Sequence, residues 1–302
     1  MKLKSVFKIR KWVELYICSK YAERLSDKSF LKLKYYAFMG KKLNLDNPRT
    51  YNEKLQWLKL YDRNPLYTIM VDKHEAKRYV ANVIGEKYII PELGLWNTPD
   101  EIDFDSLPER FVLKVTHDSG GLVICRDKSM LDVESAKAKL MKSLNRDYYR
   151  KHREWPYKNV KRRIIAEEYM EDQKTAELRD YKFFCFDGEV RLMFVATGRQ
   201  EENKETRFDF FDAQYNHLNI KNGHPMAEYV PEKPQNYELM KELAEKLSHG
   251  IPHVRVDFYE VNGQVYFGEM TFSHWSGFVP FEPESWDETL GSWINLPSVK
   301  RG

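Results

Sequence analysis

An α+β fold, with helices first and mostly antiparallel β-structure after, is what this 302-residue sequence predicts. Three observations carry it. Helical spacing and helix caps run as far as Gly85, the apolar period changes to two at Phe111, and Asp187-Gly188 and Asn262-Gly263 each interrupt alternating apolar runs as hairpin turns.

Taken in order, residues 1–45 read as helices. The next helix opens at Thr50, with Thr50 and Glu53 as a capping box and Leu55, Trp57, Leu58 and Tyr61 as its apolar stripe, and Asn64-Pro65 closes it. Another begins at Asp72, carries Ala76, Tyr79, Val80 and Val83 inward and stops at Gly85. Short strands at 111–115 and 122–125 flank a Ser-Gly-Gly turn, followed by a helix from about Asp132 to Asn145 and a strand at 163–169. Strands at 181–186 and 190–196 form a hairpin. After 208–211 come a Pro-punctuated loop, a helix near 237–247, and a last hairpin of 254–260 with 265–270.

Composition bounds the class. With 42% apolar and 14% aromatic residues, the chain can fill two or three packed lobes. No apolar run approaches the roughly 20 residues of a membrane span, and Met1 to Arg10 alternates charged and apolar residues, so a cytoplasmic address is expected. Cys18, Cys125 and Cys185 have no metal or redox spacing and read as small core residues. The net charge of +3 gives no reason to expect a nucleic-acid partner. Its distribution is uneven: residues 1–45 hold twelve Lys/Arg against three Asp/Glu. That segment, with Trp12, Tyr16, Phe30, Tyr35 and Tyr36 interleaved, suits a peripheral contact with an anionic membrane face or acidic polymer, and equally suits a solvated helical surface.

Two constellations carry chemistry. Lys114 lies in an apolar strand that leads to Ser119-Gly120-Gly121, a turn whose N–H groups approach an anion closely because two residues lack side chains. It is neither a Walker loop nor a dinucleotide fingerprint. In the last hairpin, Arg255, Asp257 and Tyr259 alternate on one strand and Val265, Phe267, Glu269 and Thr271 on the next. Carboxylates in apolar strands need a partner. Mg²⁺ shared with phosphates is one answer, and salt bridges to Arg255 are another. The metal answer needs Asp257 and Glu269 on one face. A two-residue turn would put Glu269 on the wrong side, so a three-residue loop, 261–263, is expected. Asp103-Phe104-Asp105 offers a competing glycosyltransferase reading, weakened by its place in a polar turn.

From Asn47 to Thr271 the chain resembles the TupA-like ATP-grasp family, named for a teichuronopeptide biosynthesis protein. The matching segments are Asn47 to Lys54, Asp72-Lys73, Phe111 to Lys114 with His117 and the Ser-Gly-Gly turn, Ile164 to Tyr169, Asp180 to Phe183, Arg255 to Tyr259 and Gly268 to Thr271. The resemblance implies two α/β lobes with antiparallel sheets clamping ATP, divided as a helical segment 1–66, a lobe 67–166 with the glycine turn as lid, and a lobe 167–302 with the metal hairpin. It also implies roles. Lys73, Lys114, Ser119, Gly120 and Gly121 would meet phosphates. Glu167, Glu168, Tyr169 and Met170 would form the hinge at the adenine and ribose. Asp257, Glu269 and Thr271 would hold Mg²⁺, with Thr271 standing where the family has asparagine. Arg255 would stabilise the transferring phosphoryl group, and Lys182 would serve phosphate or acceptor. The activity implied is ATP-dependent ligation of a carboxylate to an amine, in surface-polysaccharide synthesis, with a uronic acid-like glycan carboxylate and an amine or amino acid as partners. A non-catalytic nucleotide or glycan binder is the remaining reading, and the bulky Ser273-His274-Trp275-Ser276-Gly277 segment departs from the family at the acceptor end.

Overall fold

The computed structural model describes residues 12, 16, 20–118, 120–173, 177–199 and 205–298. Of residues 1–19 only 12 and 16 are described, so Cys18 and the start of the basic stretch lie outside the described residues. Helix α1 (Asp27–Met39) is capped by Ser26 and buries Phe30, Leu31 and Tyr35 against Leu43, Leu45, Leu60 and Phe278, so this half of the basic segment is packed. Helix α2 (Tyr51–Tyr61) carries both bonds of the capping box between Thr50 and Glu53.

The chain then departs from its sequence pattern. A six-residue helix α3 (Leu66–Val71), too short to show a period, precedes α4 (Glu75–Ile84). The helix expected from Asp72 starts three residues later. Asp72 instead accepts from Arg163 at 3.0 Å and from the His74 N–H at 2.9 Å, while the Lys73 N–H is bonded to Thr116 O at 3.2 Å. Val83, expected inward, is exposed.

Strands β1 (Glu92–Trp96), β2 (Phe111–Val115), β3 (Leu122–Cys125) and β4 (Ile164–Glu168) make an antiparallel sheet in the order β1-β4-β2-β3. Strand β1 has no sequence signal because it is a half-buried edge strand, bulged between Glu92 and Gly94. Phe111, Leu113 and Val115 face α5 (Val133–Leu144), packing with Ala136, Leu140 and Leu144. Alternation puts Val112, Lys114 and Glu167 on the opposite face.

After the short helix α6 (Tyr148–His152) comes the second sheet. Strands β5 (Asp180–Phe186), β6 (Glu189–Thr197), β7 (Arg207–Asp212), β8 (His217–Leu218), β9 (Val254–Val261) and β10 (Gln264–Thr271) lie in the order β10-β9-β5-β6-β7-β8. One face of this sheet packs Phe183, Val256 and Phe258 against Met240 and Leu243 of α7 (Tyr237–Ser248), together with Tyr67, Met70 and Val80. Residues of α3 and α4, grouped by sequence with the first lobe, thus sit in the core of the second sheet. The other face packs Phe184, Phe194 and Phe210 against Tyr51 and Leu55 of α2 and Leu290 of α8 (Ser285–Trp293). Each fully buried phenylalanine contributes roughly 1.5–3 kcal/mol. Toward the first sheet, the same face carries Lys182, Arg255, Asp257 and Tyr259.

The last hairpin corrects the expected loop. Val261 pairs with Gln264 across a two-residue turn, Asn262 and Gly263, both left-handed at φ 51° and 77°. Asp257 nevertheless pairs with Glu269, because a bulge between Phe267 and Glu269 inserts Gly268 and reverses the parity. Glycine suits that bulge, since a Cβ there would stand 3.1 Å from the Asp257 carbonyl oxygen.

Candidate functional site

Strand β2 delivers Lys114 to the space between the sheets, where its ammonium pairs with Glu167 of β4. Lys77 of α4 reaches the other carboxylate oxygen at 2.5 Å and the Ile90 carbonyl at 2.6 Å. Burial alone would raise the pKa of Glu167, but Lys114 and Lys77 outweigh it and hold the carboxyl at about 2. Both oxygens are therefore committed to lysines. Glu167 thus ties α4 to the first sheet beside Lys114, while Glu168, the other carboxylate expected at the hinge, is exposed and lines the adjoining slot.

Lys73 sits beside the β2–β3 turn because its own N–H is held by Thr116 O, and its ammonium donates to the Asp118 carbonyl at 2.8 Å. Burial pulls its pKa below the ordinary lysine value. Within the turn, Ser119 lies outside the described residues. Gly120 is exposed beside Arg146, whose guanidinium pairs with Asp118 at 3.0 Å. Gly121 faces the cleft, and a Cβ there would meet Ser143 Oγ at 2.4 Å and Val115 Cγ2 at 2.7 Å, so only glycine fits.

The second sheet supplies the opposite wall. Arg255 donates to both oxygens of Asp257 at 2.7 Å, to Glu269 at 2.9 Å and to the Thr271 hydroxyl at 3.0 Å. Lys182 pairs with Asp257 and lies 3.3 Å from Asp180. Salt bridges thus answer the two carboxylates in this structure, yet the two differ. The Asp257 side chain is 1% exposed, whereas that of Glu269 is 42% exposed. Burial would raise Glu269, but Lys182, Arg255, Lys73 and Arg199 hold it at about 2, an ionised carboxylate open to the cleft. The remaining terminal nitrogen of Arg255, Nη1, donates to His274 Nδ1 at 2.8 Å. A guanidinium only donates, so Nδ1 accepts and the Nε2 proton is shared with Asn222 Oδ1 at 2.9 Å. Burial and Arg255 lower the His274 pKa, in keeping with this neutral ring.

Three cavities run together here. An apolar slot is lined by Ile90, Val112, Leu122, Ile124, Tyr169 and Met170. Lys114 and Glu167 join it to a middle chamber containing Lys73, Gly121 and Gly268. Lys73 and Glu269 join that to a third cavity of about 460 Å³, walled by Lys182, Arg255, Thr271, His274 and Trp275. Arg199, which lines all three and pairs with Asp180, carried no sequence signal beyond the buried carboxylate that needed it. Lys77 was missed likewise, while Tyr259 was placed on the face of Asp257 by alternation but given no role. Asp103 and Asp105 are not among these lining residues, and Asp103 caps the N–H groups of Asp105 and Ser106 in its own turn.

A family model described as TupA-like ATP-grasp matches residues 53–295. The chain belongs to the TupA-like ATP-grasp family. No curated protein sequence matches it. Solved structures similar to it include D-alanine–D-alanine ligase from Bacillus anthracis, complexed with ATP, at 15% identity and a TM-score of 0.39 over 68% of this chain and 54% of that one. The D-alanine–D-alanine ligase of Helicobacter pylori is similar at 14% identity and TM-score 0.43, over 81% and 69%. N5-carboxyaminoimidazole synthase from Aspergillus clavatus, in complex with ADP and 5-aminoimidazole ribonucleotide, is similar at 14% and 0.39, over 68% and 45%. The chain spans only 54% and 45% of the Bacillus and Aspergillus enzymes.

Among the described residues no group of three or more His, Cys, Asp and Glu has metal-site spacing. Two carboxylates and the Thr271 hydroxyl fit Mg²⁺, an oxygen-seeking ion that takes few protein ligands and completes its shell with phosphates and water. Asp257 would exchange Lys182 or Arg255 for the ion, whereas Glu269 is open already. No described helix is long and apolar enough to cross a membrane.

Proposed function

We propose that this protein is an ATP-dependent carboxylate–amine ligase of surface-polysaccharide synthesis, with a glycan or uronic acid carboxylate as acceptor and an amine or amino acid as nucleophile. One observation carries it: an apolar slot, a lysine-lined chamber and an open carboxylate follow one another along a single cleft, in the order base, phosphates, metal. The slot ends at Tyr169 and Met170, just beyond β4, whose backbone would meet the adenine edge. Lys73 and Lys114 offset phosphate charge. Glu269, with Asp257 and Thr271, would hold Mg²⁺, which when bound neutralises phosphate oxygens.

The chemistry suits the third cavity. A carboxylate oxygen of the acceptor attacks the γ-phosphorus of ATP, the bond to the β–γ bridging oxygen breaks, and ADP leaves. The acylphosphate carbon is then attacked by the amine, which loses a proton as inorganic phosphate departs with the C–O electron pair. Arg255 and Lys182 wall the third cavity, where charge on the moving phosphoryl group must be offset. Closing the glycine turn keeps water from the acylphosphate.

Thermal denaturation tests the nucleotide half. Mg-ATP at about 100 times its dissociation constant adds roughly 2.7 kcal/mol, a rise of several degrees in midpoint. Stabilisation by Mg-ATP and none by UDP-sugars is expected. The reverse would favour the glycosyltransferase reading. ADP release with uronic acids and amines then separates a ligase from a non-catalytic binder.

A further inference from the structure

We propose that the third cavity holds a pyranose-stacking subsite with Trp275 as its flat wall, so that the carboxylate to be activated arrives on a sugar ring. This rests on the acceptor assignment above and deepens it. Trp275 lines the cavity and remains 40% exposed, although His274, Ser276 and Gly277 beside it are buried. Its indole lies across Phe208, with ring centroids 6.1 Å apart and planes at 28°. It also lies over Gly223, where a Cβ would come within 2.9 Å of the ring, so any side chain there would displace it.

The backbone that presents this indole is strained. Trp275, Ser276 and Gly277 have φ of 49°, 54° and 64°, three successive left-handed residues, two of which carry a Cβ. A buried polar network holds them. Gln56 donates to the Ser276 and Gly277 carbonyls at 3.1 and 2.9 Å, Lys59 donates to Ser276 O at 2.7 Å, and the Ser276 hydroxyl donates to Glu154 at 2.5 Å. Strain maintained by so many bonds at a cavity wall indicates that the position of the indole is functional.

The rest of the wall says what would rest on it. Tyr157, Thr206 and Ser273 bring hydroxyls, while Arg199 and Lys182 bring positive charge toward the middle chamber. A ligand matching this set has one flat face of C–H bonds, several hydroxyls and a carboxylate. A uronic acid in its pyranose form has all three. An aromatic acid could stack but would leave the hydroxyls unserved, and an acyclic diacid would not use the indole.

Titration calorimetry on the whole chain without nucleotide tests this, using methyl α-D-glucuronide and methyl α-D-galacturonide as probes and phenylacetate and glutarate as controls. At least one glycoside is expected to bind in the millimolar range, and more tightly than either control. Trp275→Leu, which keeps bulk but removes the flat face, is expected to weaken that binding about tenfold or more. Trp275→Phe should stay within about threefold, with parental thermal midpoints in both variants. The subsite is refuted if neither glycoside binds, if a control binds as well as the glycosides, or if Trp275→Leu retains parental affinity. Failure of Mg-ATP to stabilise the parent would instead count against the ligase assignment and would leave this titration readable.

Discussion

Glu269→Gln is expected to lower ADP release by about 10²- to 10³-fold while moving the thermal midpoint by no more than a few degrees. Glu269 is the carboxylate of the pair that faces the cleft, and its charge is fixed by a pKa of about 2, so it is ionised throughout the physiological range. The amide keeps shape and hydrogen bonding to Arg255 but loses the charge that would attract Mg²⁺. The residual activity should therefore show a raised Mg²⁺ requirement, measured by titrating the ion at saturating ATP. Turnover within fivefold of the parent, or an unchanged Mg²⁺ dependence, would remove Glu269 from the metal site.

Glu167→Gln should act on stability and on nucleotide binding together. Removing this carboxylate leaves Lys114 and Lys77 facing one another with no counter-charge, and breaking a buried pair in this way costs about 3–5 kcal/mol. For a chain of this size that is a fall of roughly 10 °C in midpoint. Adding Lys77→Met should restore part of it, since one of the two stranded charges is removed. The same pair predicts acid sensitivity. The folded-state pKa of Glu167, about 2, lies below its unfolded value of about 4.5, so the folded state binds fewer protons in that interval. The stabilisation, about 3 kcal/mol, is complete above pH ~4.5 and is lost as pH falls toward 2. Denaturant unfolding measured from pH 6 to pH 2.5 should show this slope in the parent and a shallower one in Glu167→Gln. Equal slopes would show that the carboxylate is not held by the lysines.

The contrast between these two glutamates shows where the sequence was legible. Period-two runs at Phe111, Tyr181 and Val254 marked strands, and the strand at Phe111 does bring Lys114 to the cleft beside the turn it leads to. The convergence of Asp257 with Glu269 was anticipated for the wrong reason. Parity was expected to come from a three-residue loop, whereas it comes from Gly268, and a bulge within a strand leaves no pattern distinguishable from an ordinary glycine. Roles were harder than positions. Glu167, expected at the adenine and ribose, is buried between two lysines, an arrangement that depends on Lys77 from a helix far earlier in the chain. Arg199 and the edge strand at Glu92–Trp96 were invisible for a related reason, since their partners are set by packing of the two sheets rather than by local spacing. Family resemblance supplied the order of the motifs, but not which carboxylates are already spoken for.

The most direct test of the whole account is a crystal structure with AMP-PNP and Mn²⁺, read by anomalous scattering at the metal. The adenine is expected in the slot against Tyr169 and Met170, the phosphates within hydrogen-bond reach of Lys73 and Lys114, and the Mn²⁺ signal at Glu269. A nucleotide bound outside this cleft, or one whose phosphates lie away from Lys114 with no metal at Glu269, would contradict it.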